Sequence, residues 1–267
     1  MKYKKALTRR SLLSGTAISI IPATSFAQSL NENSPEWMTE PGTPFNEYGF
    51  PSTQEKNIKR EIFQPYEEYA PGSGVAMTPL EKLEGIITPN GLHFERSHNG
   101  VPNIDARQHE FLIHGLVKNP LVFKIEDLLK YPMVTKTYFI ECGGNSFYNS
   151  NAFPIAIDRT CGTIHGLIST SEWTGVPLKS LLDEAGVQKD ALWLLAEGAD
   201  AAAMSRSIPL EKALDDTIIA LYQNGERIRP EQGYPMRLVV PGWEGNISTV
   251  SYTHLRAHET REDLGWR

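Results

Sequence analysis

From residue 110 onward, short runs of β-type sequence alternate with short helical ones, and hairpin signals join them. Residues 110–117 and 122–125 have strand character, with an Asn119-Pro120 turn between them. Residues 126–131 suit a short helix. Residues 134–142, rich in β-branched and aromatic side chains, read as a strand that ends at Cys142. Residues 177–187 put Leu178, Leu181, Leu182 and Ala185 on one helical face, with Pro177 to start the helix and Gly186 to stop it. Residues 191–197 read as a buried strand and 209–215 as a short helix. Residues 217–223 form a strand running into an Asn224-Gly225 hairpin signal, and 236–240 form a further strand. This order predicts a mixed α+β domain rather than a doubly wound sheet.

The segment before it is different. Over residues 28–79 Pro35, Pro41, Pro44, Pro51, Pro65, Pro71 and Pro79 recur with glycines, and neither a helical nor an alternating period survives. It reads as an extended arm with Trp37, Phe45, Tyr48, Phe50 and Phe63 as anchors. Residues 1–27 carry Lys2, Lys4, Lys5, Arg9 and Arg10 and no acid, then a short apolar run and a small-residue end at Ala27, the pattern of an export signal. The Arg9-Arg10 pair within Thr-Arg-Arg-Ser-Leu-Leu resembles a twin-arginine address, so a periplasmic protein is expected. The apolar run falls short of the ~20 residues of a membrane span. With a formal charge of −6 that includes those cations, the remainder is acidic, which argues against nucleic-acid binding. Cys142 and Cys161 are the only cysteines, too few for a disulfide scaffold, and their spacing forms no Cys-x-x-Cys-His haem motif.

The chemistry concentrates at Phe139-Ile-Glu-Cys142-Gly-Gly-Asn145. A thiolate at a strand end is a soft ligand for a polarisable metal, and two following glycines let backbone approach a bulky group. The residues alone leave two other readings open: a buried structural cysteine, or a disulfide to Cys161. His93 and His114 read as packing or surface residues. His254 and His258 have the i, i+4 spacing of a helical zinc pair, in a stretch of doubtful origin. Asp105, Asp183 and Glu197 have no acid–base spacing, and Ala70-Pro-Gly-Ser-Gly74 lacks the lysine of a phosphate loop.

Cys142-Gly-Gly-Asn145 resembles the Cys-x-Gly-Asn segment of the sulfite oxidase family. Phe94-Glu-Arg96-Ser-His98-Asn-Gly-Val-Pro102 resembles its Arg-x-His…Pro segment. His165-Gly-Leu-Ile-Ser169-Thr-Ser-Glu-Trp173-Thr-Gly-Val-Pro177 and the stretch from Pro230 to Asn246 resemble two later segments, so four ordered motifs span residues 80–246. The wording of the last two is similar to that of sulfane dehydrogenase members of the family. The resemblance implies an α+β fold with mixed sheets of the sulfite-oxidase-type molybdopterin-binding kind, holding molybdenum-molybdopterin with Cys142 as the molybdenum ligand. It places Arg96 at the substrate and gives His98, Gly143, Asn145, Ser169 and Arg206 to the cofactor. Tyr222, one place beyond the position of a substrate tyrosine, is the remaining catalytic candidate.

Several departures matter. Ser146 and Phe147 stand where animal members carry two arginines, which makes the pocket less basic. After Asn246 the family continues into a Lys-Trp-Leu stretch and a β-sandwich dimerisation domain. Residues 247–267 instead read as an atypical, non-native tail that resembles a translated sequencing adapter, so the β-sandwich is expected to be absent here and homodimerisation to belong to a longer protein. The implied function is oxidation of sulfite or of sulfane sulfur on a sulfur-carrier protein, with electrons passed to a separate c-type cytochrome and no haem in this chain. The alternatives are a reductase of oxidised methionine and a metal-free relative of the same fold.

Overall fold

The computed structural model describes residues 35–38, 40–65, 67–147, 159–248 and 252–259. The export signal read at residues 1–27 lies outside them. The chain divides after Pro51. In the first unit the described residues contain a 3-10 turn, Glu36–Met38, and Trp37, Phe45, Tyr48 and Phe50 are all exposed, so they are not buried anchors.

The second unit holds the regular structure. In chain order it comprises β1 (Glu61–Phe63), β2 (Gly74–Met77), β3 (Glu95–Ser97), β4 (Glu110–Gly115), β5 (Leu121–Lys124), α1 (Ile125–Leu128), β6 (Val134–Glu141), α2 (Cys161–His165) and β7 (Ile168–Pro177). There follow α3 (Leu178–Ala185), β8 (Trp193–Gly198), β9 (Ser205–Pro209), α4 (Leu210–Asp215), β10 (Ile218–Gln223), β11 (Glu226–Arg227), β12 (Arg237–Val239) and β13 (Tyr252–His258). Three sheets result: β1-β2-β3; β11-β10-β7-β6 with β12 also on β10; and β5-β4-β13-β8-β9. This is the mixed α+β class expected. Among the described residues no helix is long and apolar enough to cross a membrane.

Local physics accounts for the elements that were foreseen. In α3 Leu178, Leu181, Leu182 and Ala185 are at most 1% exposed, and Gly186 closes the helix in the left-handed region at φ 67°. On its outer face Lys179 pairs with Asp183 at 2.8 Å. Asn224 and Gly225, both at positive φ, turn β10 into β11.

Three parts of the sequence behave differently from expectation. The later half of the presumed arm supplies β1 and β2, which pair with β3 in one sheet. These strands are three and four residues long, too short to show a period. The longest strand, β7, was not foreseen as one. Its inward face carries Ser169 and Ser171 as well as Trp173, all buried, so the usual apolar alternation is masked. The third is the tail, where β13 lies between β4, to which it is parallel, and β8, to which it is antiparallel. Leu255 and Ala257 point into the core while His254 and Arg256 are exposed. On a strand, residues four apart are separated by ~13 Å, so His254 and His258 cannot form the zinc pair that a helix would make. No cluster of three metal-ligating side chains occurs among the described residues.

Candidate active site

Cys142 follows directly on β6, and its loop is tied down on both sides. The Cys142 N–H donates to Leu167 O at 2.9 Å, and Asn145 N–H donates back to Cys142 O at 2.8 Å. Ser146 holds a left-handed φ of 61°, and its hydroxyl lies 2.6 Å from Nδ1 of His165, which latches the loop to α2. Gly144 N–H donates to the Cys142 sulfur at 3.5 Å. Both cysteines are free thiols, Cys161 exposed and Cys142 half-buried, so the disulfide reading does not hold.

The Cys142 loop forms one wall of a cavity of about 420 Å³. Arg96 from β3, His98 just beyond it, Arg206 from β9 and Arg237 from β12 supply its basic groups. Glu95, Asp200, Glu231 and Glu244 supply carboxylates. Burial, reinforced by Arg96 and Arg206 and opposed by Asp200, holds His98 below the ordinary histidine range, so its ring is neutral at pH 7. Burial raises the carboxyl of Glu95 against the pull of Arg60, which lies 3.3 Å away, and Glu231 raises it further.

Arg237 is the group that sequence reasoning missed. It is buried, its pKa is lowered to about 10 by desolvation, and its guanidinium sits 5.5 Å over the Trp173 ring. It donates to the Ser248 carbonyl and to the carbonyl and side-chain oxygens of Gln232 at 3.0–3.2 Å. Among the described residues no carboxylate forms an ion pair with it. A buried cation held only by neutral acceptors is costly unless an anion completes its shell. A signal was present in the sequence: a single arginine in the otherwise apolar run from Pro235 to Pro241.

Arg96, His98, Cys142, Gly143 and Arg206 are therefore brought together around one cavity, and three other candidates are not. The Ser169 side chain is buried and accepts from Phe94 N–H at 3.0 Å. Its hydroxyl lies 2.7 Å from that of Thr78, which must itself donate to the Leu92 carbonyl at 2.9 Å, so the Ser169 proton is directed at Thr78. Ser169 thus fixes the segment preceding Arg96 and does not line the cavity. Asn145 is also absent from the lining. Its amide nitrogen donates to Glu141 at 2.9 Å and its oxygen accepts from Leu167 N–H at 3.0 Å, which clamps the cysteine loop to β7. Tyr222 is displaced by a β-bulge in the pairing of β10 with β7 between Ala220 and Tyr222. Leu221 and Tyr222 consequently both pack on the larger core, and Arg227 covers the tyrosine ring at 5.1 Å.

Comparison with known proteins identifies the family. The family described as oxidoreductase molybdopterin binding domain matches residues 98–266. The nitrate reductase (NADH) of Ulva prolifera is 31% identical over 197 residues, covering 68% of this chain and 22% of that protein. The nitrate reductase (NADPH) of Phytophthora infestans is 35% identical over 196 residues, covering 68% and 21%. The crystal structure of the sulfane dehydrogenase SoxCD from Paracoccus pantotrophus superposes with a TM-score of 0.80 at 41% identity, over 86% of this chain and 58% of that one. The chain thus spans about a fifth of the curated nitrate reductases it matches. A free thiol at the end of β6, a cavity beside it lined by arginines and carboxylates, and a family match over well over half the sequence lead to one assignment: this chain belongs to the molybdopterin-binding oxidoreductases of the sulfite oxidase family.

Proposed function

We propose that this chain is the molybdenum-cofactor domain of an exported sulfur dehydrogenase, which oxidises sulfite or carrier-bound sulfane sulfur in the periplasm and passes electrons to a c-type cytochrome. The observation that carries the reading is the free Cys142 thiol opening onto a cavity that also holds Arg96, Arg206 and Arg237. The residues suit the cofactor. A soft thiolate matches molybdenum, and the uncompensated Arg237 charge calls for an anionic group such as a cofactor phosphate. When bound, molybdenum-molybdopterin supplies two-electron oxygen-atom chemistry at sulfur. Cys142 would ligate the metal, and Gly143 and Gly144 leave room beside it. Arg96 would hold a sulfur oxyanion by charge-assisted hydrogen bonds, and neutral His98 would offer a hydrogen bond without adding charge. Asn145 and the Ser146–His165 latch act through the loop, holding the thiol in place.

The similarity to SoxCD, a sulfane dehydrogenase, supports the sulfur substrate. The nitrate reductase relatives favour a second reading, reduction of an oxygenated acceptor, which also covers a reductase of oxidised methionine. Cys142→Ser discriminates metal chemistry from a scaffold role. The variant should retain pterin but lose turnover by on the order of a hundredfold or more. Molybdenum and pterin content, together with cytochrome reduction by sulfite or by thiosulfate with carrier proteins, provide the readout. Normal turnover in the variant would remove Cys142 from the mechanism. Turnover of nitrate or methionine sulfoxide, with none of the sulfur donors, would establish the second reading.

A further inference from the structure

The cations and carboxylates of the cavity are not placed alike. Arg96, Arg206 and Arg237 attract an anion in proportion to its charge, and a carboxylate beside them repels it in the same proportion. Glu244 instead lies against the cysteine loop: its carboxyl atoms are 3.0–3.1 Å from the point that a Cβ on Gly143 would occupy. Gly143 therefore leaves the space that this carboxylate fills. The next residue repeats the device. Gly245 N–H donates to Glu141 O at 2.6 Å, and a Cβ on Gly245 would come within 2.8 Å of that oxygen. Two glycines thus let the segment carrying Glu244 press against the residues flanking Cys142. Asn246 Nδ2 then fixes the carboxylate at 3.0 Å, while Asn246 Oδ1 is buried with no hydrogen-bond partner. Among the described residues no lysine or arginine forms an ion pair with Glu244, so its charge is not neutralised by the protein.

We infer that Glu244 is a specificity-determining residue that limits the charge a substrate can bring to Cys142. This rests on the reading of the cavity as a sulfur-oxidising site. Doubly charged oxyanions such as free sulfite are disfavoured there. A sulfur group that is neutral or singly charged, such as a sulfane chain on a cysteine side chain of a peptide, is admitted. Glu244 stands at the exposed rim, where solvent and salt screen it, so its effect is about three- to fivefold in affinity for each negative charge on the ligand.

Binding of redox-inert anions tests this without turnover. Sulfate, doubly charged, and methanesulfonate, singly charged, are titrated calorimetrically into the purified full chain and into E244Q, with molybdenum and pterin content measured for each preparation. E244Q should raise the preference for sulfate over methanesulfonate by about three- to fivefold, and the gain should shrink in 1 M salt. E244D, which keeps the charge, should retain the wild-type preference. An unchanged preference in E244Q, an equal gain for both anions, or a protein that binds neither overturns the role of Glu244. A preference that shifts as expected, with no oxidation of sulfite or sulfane sulfur by molybdenum-loaded protein, would leave Glu244 as a charge filter and refute the sulfur-oxidising reading, so the two ideas fail separately.

Discussion

Two regions of the second unit are built on opposite principles. The core between the β5-β4-β13-β8-β9 sheet and α3 is apolar throughout, with Phe111, Ile113, Leu181, Leu194, Ile208 and Leu255 all fully buried. The smaller core behind the cavity, around Phe94, Ile140, Trp173 and Val239, is surrounded by buried polar groups: His93, Ser169, Ser171, Gln223, Gln232 and Arg237. Apolar packing stabilises the first region cheaply and without direction. The second needs a hydrogen bond for nearly every group it hides, as in the Phe94 carbonyl, which accepts from both His93 Nδ1 and Gln232 Nε2. Such a network costs stability but orients what it touches, and it touches Arg96 on one side and Arg237 on the other. Stability is thus concentrated away from the cavity and positioning beside it.

Truncation in the apolar core should produce the largest change. Leu194→Ala is expected to lower stability by about 2–5 kcal/mol, because a fully buried side chain is replaced by a cavity. Denaturant titration measures it, and a loss below 1 kcal/mol would show that this core is loosely packed.

Acid should act on the polar region next. His93 is stacked on Phe94 at 5.2 Å, edge-on to Trp173 at 6.0 Å, and its pKa is lowered from 6.5 to about 3, mainly by burial. Its Nδ1 faces a carbonyl and so carries the proton of the neutral ring. Between pH 3 and 6.5 the unfolded chain binds a proton that the folded chain refuses. The contribution is therefore full above pH 6.5 and is lost as pH falls toward 3, by up to on the order of 3–5 kcal/mol. His93→Phe should flatten the difference in stability between pH 7 and pH 4. The same slope in both proteins would place the acid sensitivity elsewhere.

The smallest effect sharpens the boundary between the regions. Tyr222 packs on the apolar core and not on the cavity, so Tyr222→Phe should change turnover less than about twofold and stability by within about 0.5 kcal/mol. A large loss of activity in a stably folded variant would mean that the bulge in β10 rearranges to bring the ring to the substrate.

How far the sequence could be read follows the same division. Helix α3 was legible because its apolar positions, its leading Pro177 and its closing Gly186 agree with one another. Strand β7 was not, because its buried face is lined with serines whose partners come from Thr78, Phe94 and Gln223, far off in the chain. The segment from Pro230 to Asn246 carries a family resemblance as a whole; within it Arg237 is marked only by its apolar neighbours, and nothing local distinguishes the loop-facing Glu244 from a surface carboxylate. Residues 252–258 carry an alternation that only two neighbouring strands turn into a central strand.

The residues alone determined the class of fold and marked Cys142 as a candidate ligand, because turn signals, periodicity and ligand softness are properties of neighbouring residues or of single atoms. Tertiary structure decided which charges share a cavity with that thiol, that Ser169 and Asn145 brace the site rather than line it, and that Tyr222 stands outside it. Those outcomes depend on strand register, a bulge and the close approaches that Gly143 and Gly245 permit, and each of these is settled by contacts between segments distant in the chain.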